Sequence, residues 1–294
     1  MKVVLFCGGL GTRLKEFSET IPKPMVDIGY RPIIWHLMKY YAHYGHKDFI
    51  LCLGYRGDYI KRYFLEYDEC LSNDFVLSQG GRSVQLHNSD IADWTITFAD
   101  TGLNSNLGQR LRAVEKYLDG EEEFMANYSD GLSDLDLNAY VDHFHAQNKL
   151  ATFLSVKPSQ SFHHVSSEPD GLVNNIGAID SGDFWINGGF FILKRQIFEY
   201  IHEGEELVVQ PFQRLIAERQ LMTYRNPGFW ACMDTFKEKK MFDDMYDRGE
   251  TPWMVWEQGA GARRMRARVP AAGAERITLD RSHLVAHYQQ PEPA

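Results

Sequence analysis

Val3-Val4-Leu5-Phe6-Cys7-Gly8-Gly9-Leu10-Gly11-Thr12-Arg13-Leu14 is the stretch on which the fold turns. A short apolar run bounded by glycines reads as a strand buried on both faces, as in a parallel sheet covered by helices. The glycines let the backbone approach a polyphosphate closely and aim N–H groups at it, while a nearby arginine neutralises charge. Lys23 follows ten residues after Arg13, bracketed by Pro22 and Pro24. Gly8, Gly9, Gly11, Thr12, Arg13 and Lys23 are therefore the candidate cradle for a nucleoside triphosphate. Two better-known loops are excluded. No Lys-Ser/Thr pair follows the glycines, and the G-x-G-x-x-G dinucleotide pattern stops at Gly9-Leu10-Gly11.

Working outward, strand-like apolar runs alternate with segments of helical period, which predicts an α/β fold with a mostly parallel sheet and helices on both faces. Pro32 opens a helix whose apolar positions are Ile34, Leu37, Met38 and Tyr41, and Gly45 closes it. Strands are expected at 49–53, 75–77, 84–86, 94–98, 124–128, 151–156 and 185–193. Helices are expected at 58–67, 107–118, 137–148, 211–220 and 236–248, with an aromatic strand around Phe229-Trp230. From Gly259 the composition turns to Gly, Ala, Arg and Pro, so residues 1–258 read as one domain and 259–294 as a separate tail.

At 294 residues, 44% apolar and 24% charged, the chain is ordinary globular material. A net charge of -9 argues against a nucleic-acid binder, which needs clustered cations to displace counterions from phosphates. Cys7, Cys52, Cys70 and Cys232 are widely spaced without a C-x-x-C, the pattern of reduced cysteines in a cytoplasmic protein. No apolar run approaches the length of a membrane span, and no signal peptide precedes the first strand. Neither a nucleic-acid nor a membrane partner is expected.

Beyond the glycine loop the chain resembles the sugar-phosphate nucleotidyltransferases. The matching stretches are Phe6 to Leu14, Pro22-Lys23-Pro24-Met25-Val26, Ile28-Gly29, Pro32-Ile33-Ile34-Trp35-His36, Gly54-Tyr55, Asp100-Thr101-Gly102, Tyr128-Ser129-Asp130-Gly131, Ile186-Asn187-Gly188-Gly189-Phe190-Phe191 and Pro227-Gly228-Phe229-Trp230 with Met233-Asp234-Thr235. The last two point to the cytidylyltransferase branch. The resemblance implies the Rossmann-like, doubly wound mixed sheet of the nucleotide-diphospho-sugar transferases. It also implies transfer of a nucleoside monophosphate from an NTP, CTP above all, to a sugar 1-phosphate with release of pyrophosphate, by a homo-oligomer.

The resemblance further implies that Asp130 and Asp234 hold the catalytic Mg²⁺. Hard-cation chemistry agrees, since magnesium takes oxygen ligands. Each has a plain alternative: Asp130 precedes Gly131 as a turn aspartate does, and Asp234 adjoins the capping-box sequence Thr235-Phe236-Lys237-Glu238. Arg110 falls on the nucleotide side by the same resemblance, although on a helix it could equally face solvent. Asn187 and Gly188 match the sugar-binding turn, or a bulge in a strand.

The chain also departs from the pattern. Gly177-Ala178-Ile179 stands where the family has Glu-Lys-Pro, whose lysine meets the acceptor phosphate, and Phe162-His163-His164 replaces a Phe followed by small residues. His164, His163 and Arg225 are the cations in view as replacements. Because neighbouring side chains in a strand point to opposite faces, only one of the two histidines can enter the pocket, and His164 is the candidate. Two alternatives remain open: the same chemistry on another phosphorylated acceptor or NTP, and a catalytically silent sugar-nucleotide-binding protein.

Overall fold

The computed structural model describes residues 1–9, 21–158, 162–179, 182–258 and 277–280. Gly11, Thr12 and Arg13 lie outside the described residues. The central sheet contains β1 (Val3–Phe6), β2 (Asp48–Leu53), β3 (Thr95–Asp100), β4 (Glu123–Tyr128), β5 (Ala151–Val156), β6 (Ile186–Asn187), β7 (Phe191–Lys194) and β8 (Leu221–Asn226). β1 pairs in parallel with β2 on one side and β4 on the other, and β2 continues in parallel to β3. β8 pairs in parallel with the whole of β5. The other edge of β5 therefore takes both β6 and β7, antiparallel. β6 and β7 are thus two halves of one strand, interrupted where Gly189 (φ 77) and Phe190 (φ 50) leave the extended region. The sequence pattern suggested a continuous strand over 185–193. A backbone break at Gly189 and Phe190 is what separates the halves.

Alternation along β1 sends Val3 and Leu5 into one core and Val4 and Phe6 into the other. That is the signature of a sheet covered on both faces, and it establishes the doubly wound mixed α/β architecture. The first core holds α1 (Ile33–His43), with α4 (Leu137–Gln147) contributing Leu137, Tyr140 and Phe144. The second holds α3 (Leu107–Val114) and α5 (Gln210–Ala217), while α2 (Gly57–Leu65) lies between α1 and α3 in the chain. The sequence marks Ile34, Leu37, Met38 and Tyr41 as the apolar positions of α1. The helix is buried nearly all round because Trp253 and Trp256 from the end of the domain close over Trp35 and His36, with Trp35 and Trp256 edge-to-face at 6.0 Å. Such packing between segments over 200 residues apart leaves no trace in a local period.

The aromatic strand expected around Phe229-Trp230 is present at Trp230–Cys232. Its partner strand Gly131–Ser133 and the hairpin of His163–Ser167 with Val173–Ala178 are the short elements near the site that went unread in the sequence. Residues Ile277–Asp280 pair antiparallel with Ser83–Leu86, so this part of the Arg-rich segment joins the three-stranded sheet over 75–86. Among the described residues no helix is long and apolar enough to cross a membrane.

Candidate functional site

The sheet changes winding direction at β1, since β2 and β3 lie to one side of it and β4 to the other. Crevices for ligands form at such switch points, beyond the carboxyl ends of the strands. Here the segment after β1 supplies Gly8 and Gly9 and the segment after β4 supplies Ser129 and Asp130. The Ser129 hydroxyl donates to the Phe6 carbonyl at 2.8 Å and so ties the two strand ends together. A cleft of about 460 Å³ opens there, lined among others by Gly8, Gly9, Lys23, Arg110, Tyr128 and Asp130.

Lys23 sits in a 3₁₀ turn over Lys23–Met25, with Pro24 and Met25 buried beneath it, and the Met25 and Val26 N–H groups close the turn. The turn aims the Lys23 ammonium between two carboxylates: it donates to Asp130 Oδ2 at 2.5 Å and to Asp234 Oδ1. Asp234 reaches this point because the 131–133/230–232 ladder continues as a bond from the Met233 N–H to the Asp130 carbonyl. Burial alone would push the Lys23 ammonium down. The two carboxylates outweigh it and hold Lys23 above the ordinary lysine range.

The capping explanation for Asp234 separates cleanly from the site. Thr235 is the cap residue of α6 (Phe236–Asp247), and Glu238 closes the box by accepting from the Asp234 and Thr235 N–H groups at 2.7 Å each. The Asp234 side chain turns instead toward Lys23. The donor chemistry fits a hard divalent ion, since two carboxylate oxygens already converge on one cationic centre. Among the described residues no group of three or more His, Cys, Asp or Glu gathers to hold a metal, here or elsewhere. A two-carboxylate set that leaves the remaining coordination to water and substrate phosphates is how magnesium is commonly held.

Arg110 is not solvent-facing. Only 4% exposed, its guanidinium donates to Thr101 Oγ1 (2.7 Å) and to the carbonyls of Gly102 (2.9 Å), Gly8 (3.0 Å), Leu53 (3.2 Å) and Leu103 (3.3 Å). It therefore clamps the floor of the glycine loop to the ends of β2 and β3. The glycines are required by that clamp. A Cβ on Gly8 would stand 2.0 Å from Arg110 Nη1, and one on Gly54 would stand 2.8 Å from Gly8 Cα. A Cβ on Gly9 would meet none of the described residues within 4 Å, and Gly9 lines the cleft.

Asn187 and Gly188 stand at the break between β6 and β7. The Asn187 side chain accepts from the Gly189 N–H at 2.9 Å and donates to the Tyr128 hydroxyl at 3.3 Å, which links the break to the cleft wall. The Gly188 carbonyl accepts from the Trp230 indole at 2.9 Å, and a Cβ there would press on Val156 at 3.0 Å. His164 lies elsewhere. It is on the 163–178 hairpin, where its ring packs on Phe184 and its Nε2 pairs with Asn175, away from the residues that line the cleft. Sequence reasoning missed Ser129, the Tyr128 hydroxyl and the turn from Leu103 to Leu107 as parts of the wall. The Asp100-Thr101-Gly102 match was the one signal that pointed toward that turn.

The family described as nucleotidyl transferase matches residues 2–235. A glucose-1-phosphate cytidylyltransferase of Salmonella typhi is 38% identical over 259 residues, which are 87% of this chain and the whole of the relative. A D-glycero-alpha-D-manno-heptose 1-phosphate guanylyltransferase of Campylobacter jejuni is 27% identical over 216 residues, 72% of this chain and 84% of the relative. Among solved structures, a UDP-glucose pyrophosphorylase complexed with UDP-glucose superposes with a TM-score of 0.62 at 15% identity, covering 84% of this chain and 98% of its own, a likeness of fold. With a family match over most of its length and over a third of its residues shared with a relative covered end to end, the chain belongs to the nucleotidyl transferase family.

Proposed function

We propose that this enzyme transfers the nucleoside monophosphate of CTP to a sugar 1-phosphate, glucose 1-phosphate or a relative, and releases pyrophosphate. The observation that carries the reading is the convergence of Lys23, Asp130 and Asp234 beside Gly8 and Gly9 at the switch point of the sheet. Phosphoryl and nucleotidyl transfers need positioning and charge neutralisation more than covalent help from the protein. The Gly8-Gly9 backbone would cradle the triphosphate, Arg110 would hold that backbone in place from below, and Lys23 would turn from the carboxylates to the phosphates. Gly11, Thr12 and Arg13 complete the cradle in this reading. Asp130 and Asp234 would hold Mg²⁺, which supplies charge stabilisation at the α-phosphate and leaving group when bound. Asn187 and the Gly188 backbone would meet sugar hydroxyls. The attacking phosphate is already ionised near neutral pH, so no general base is assigned.

CTP is favoured by the 38% identity to a relative named for cytidylyl transfer, against 27% to one named for guanylyl transfer. We place the enzyme in the cytoplasm. A homo-oligomer is supported by the exposed apolar side chains of Val165, Val173 and Ile176 on the 163–178 hairpin. The test is pyrophosphate release from CTP, GTP, UTP and dTTP with magnesium and a panel of sugar 1-phosphates. CTP with a hexose 1-phosphate is expected to turn over and to stop when magnesium is chelated. Binding of CTP without pyrophosphate release from any pairing would leave a silent nucleotide-binding protein.

A further inference from the structure

Two cations gather on one aromatic ring at the acceptor end of the sheet. Lys157 Nζ lies 4.6 Å and Arg225 Cζ 5.0 Å from the centroid of Trp185. The Trp185 indole donates to Asp183 Oδ1 at 3.0 Å, and Lys157 donates to the Gly182 carbonyl at 2.5 Å. Among the described residues no carboxylate comes within ion-pair reach of either cation. The ring attracts each cation only weakly, while the two like charges repel. Such a pair is better suited to an anion between or beside its members than to holding the fold.

Register places this cluster on the same face as the sugar-binding turn. Ser155 of β5 stands opposite Asn187 of β6 and opposite Arg225 of β8. Residues paired in register share a face, as do residues two apart along a strand. Arg225, Ser155 and Asn187 therefore form a row across three strands, with Lys157 two residues beyond Ser155 and Trp185 two before Asn187. Asn187 in turn touches Tyr128 of the cleft wall. At roughly 4.8 Å per strand, the Arg225 backbone sits about 10 Å beyond Asn187, on the side away from β4 and Asp130. An arginine side chain leaning back along that row reaches the far end of a hexose, not its reacting phosphate.

We infer that Lys157, Arg225 and Trp185 form a subsite for a second acidic group on the acceptor, a carboxylate or phosphate at the end remote from the phosphate that attacks. This rests on the proposed function and narrows its substrate class. The acceptor is a doubly acidic sugar 1-phosphate whose ring lies along Trp185.

The experiment compares glucose 1-phosphate, glucuronic acid 1-phosphate and glucose 1,6-bisphosphate as acceptors for CTP with magnesium. It uses the full chain and its Lys157→Ala, Arg225→Ala, Arg225→Lys and double Lys157→Ala/Arg225→Ala variants. The wild type is expected to favour at least one doubly acidic acceptor by tenfold or more in kcat/KM, and which one identifies carboxylate or phosphate. The double variant is expected to lose that preference, its KM for the acidic acceptor rising tenfold or more relative to its KM for glucose 1-phosphate. Arg225→Lys should restore part of it. A wild type that prefers glucose 1-phosphate, or a double variant that keeps the acidic preference, overturns the subsite and leaves nucleotidyl transfer standing. Should no acceptor turn over, the proposed function fails instead. The subsite is then read from calorimetric titration with inorganic phosphate, which the wild type binds and the double variant does not if the inference holds; equal binding or none overturns it.

Discussion

Gly8→Ala tests whether the glycine loop is shaped by the Arg110 clamp. The added methyl would stand 2.0 Å from Nη1, 2.1 Å from Cζ and 2.5 Å from Nη2 of Arg110. A flexible side-chain end could usually step aside, but this one is held by five acceptors between 2.7 and 3.3 Å. Expelling it strands the carbonyls of Gly8, Gly102 and Leu103 and breaks its bonds to the Leu53 carbonyl and the Thr101 hydroxyl, which remain bonded to each other at 2.8 Å. At about 1 kcal/mol net for each bond, and with water recovering part, the loss is about 3–5 kcal/mol. Arg110→Met removes the same bonds and should cost a similar amount. In the double variant the alanine methyl occupies space that the guanidinium has left, so the pair should cost little more than Arg110→Met alone. Urea unfolding of the four proteins gives the cycle, with an expected coupling of about 2–3 kcal/mol. Both single variants should also show a raised KM for the NTP, because the loop floor has moved. Additive losses, or a Gly8→Ala cost below about 1 kcal/mol, would refute the clamp.

Asp130→Asn and Asp234→Asn should each lower kcat by about 10²- to 10³-fold with the fold intact by circular dichroism, and the double variant should be little worse than the poorer single one. Near-normal turnover in Asp234→Asn would remove that residue from the site. Lys23→Ala should bind Mg²⁺ without nucleotide about tenfold more tightly than the wild type by calorimetry, because the ammonium no longer sits between the carboxylates, and should still be nearly inactive; weaker binding would show that Lys23 supports the ion instead of competing with it. Fully buried His36 is pushed down by burial from its ordinary 6.5 to about 4, and its Nε2 lies 3.0 Å from the Ile28 carbonyl. Below pH 6.5 the unfolded chain takes up a proton that the folded chain refuses, so stability should fall by roughly 3 kcal/mol as pH drops from 6.5 to 4. His36→Gln should flatten that part of a urea-midpoint profile against pH; an unchanged slope would assign the loss to other groups.

The amino acids alone determined the layered α/β architecture, because strands buried on both faces must be continuously apolar and helices on such a sheet must repeat at their own period. They also marked Gly8, Gly9 and Lys23, since backbone approach to a phosphate needs glycine and a proline-bracketed lysine is rigid by its covalent chemistry. Local sequence could not say whether Asp234 was a helix cap or part of the site. What brings its side chain beside Lys23 is a ladder between residues 131–133 and 230–232, roughly a hundred positions apart in the chain. Nor could it tell a solvent-facing Arg110 from a clamp, because the five acceptors come from the ends of three different strand segments. The region around β5, β6 and β8 was the least legible part. Lys157 just past β5, Trp185 just before β6 and Arg225 within β8 come together only through the register of those three strands, and register between distant strands is written in the packing of the whole sheet.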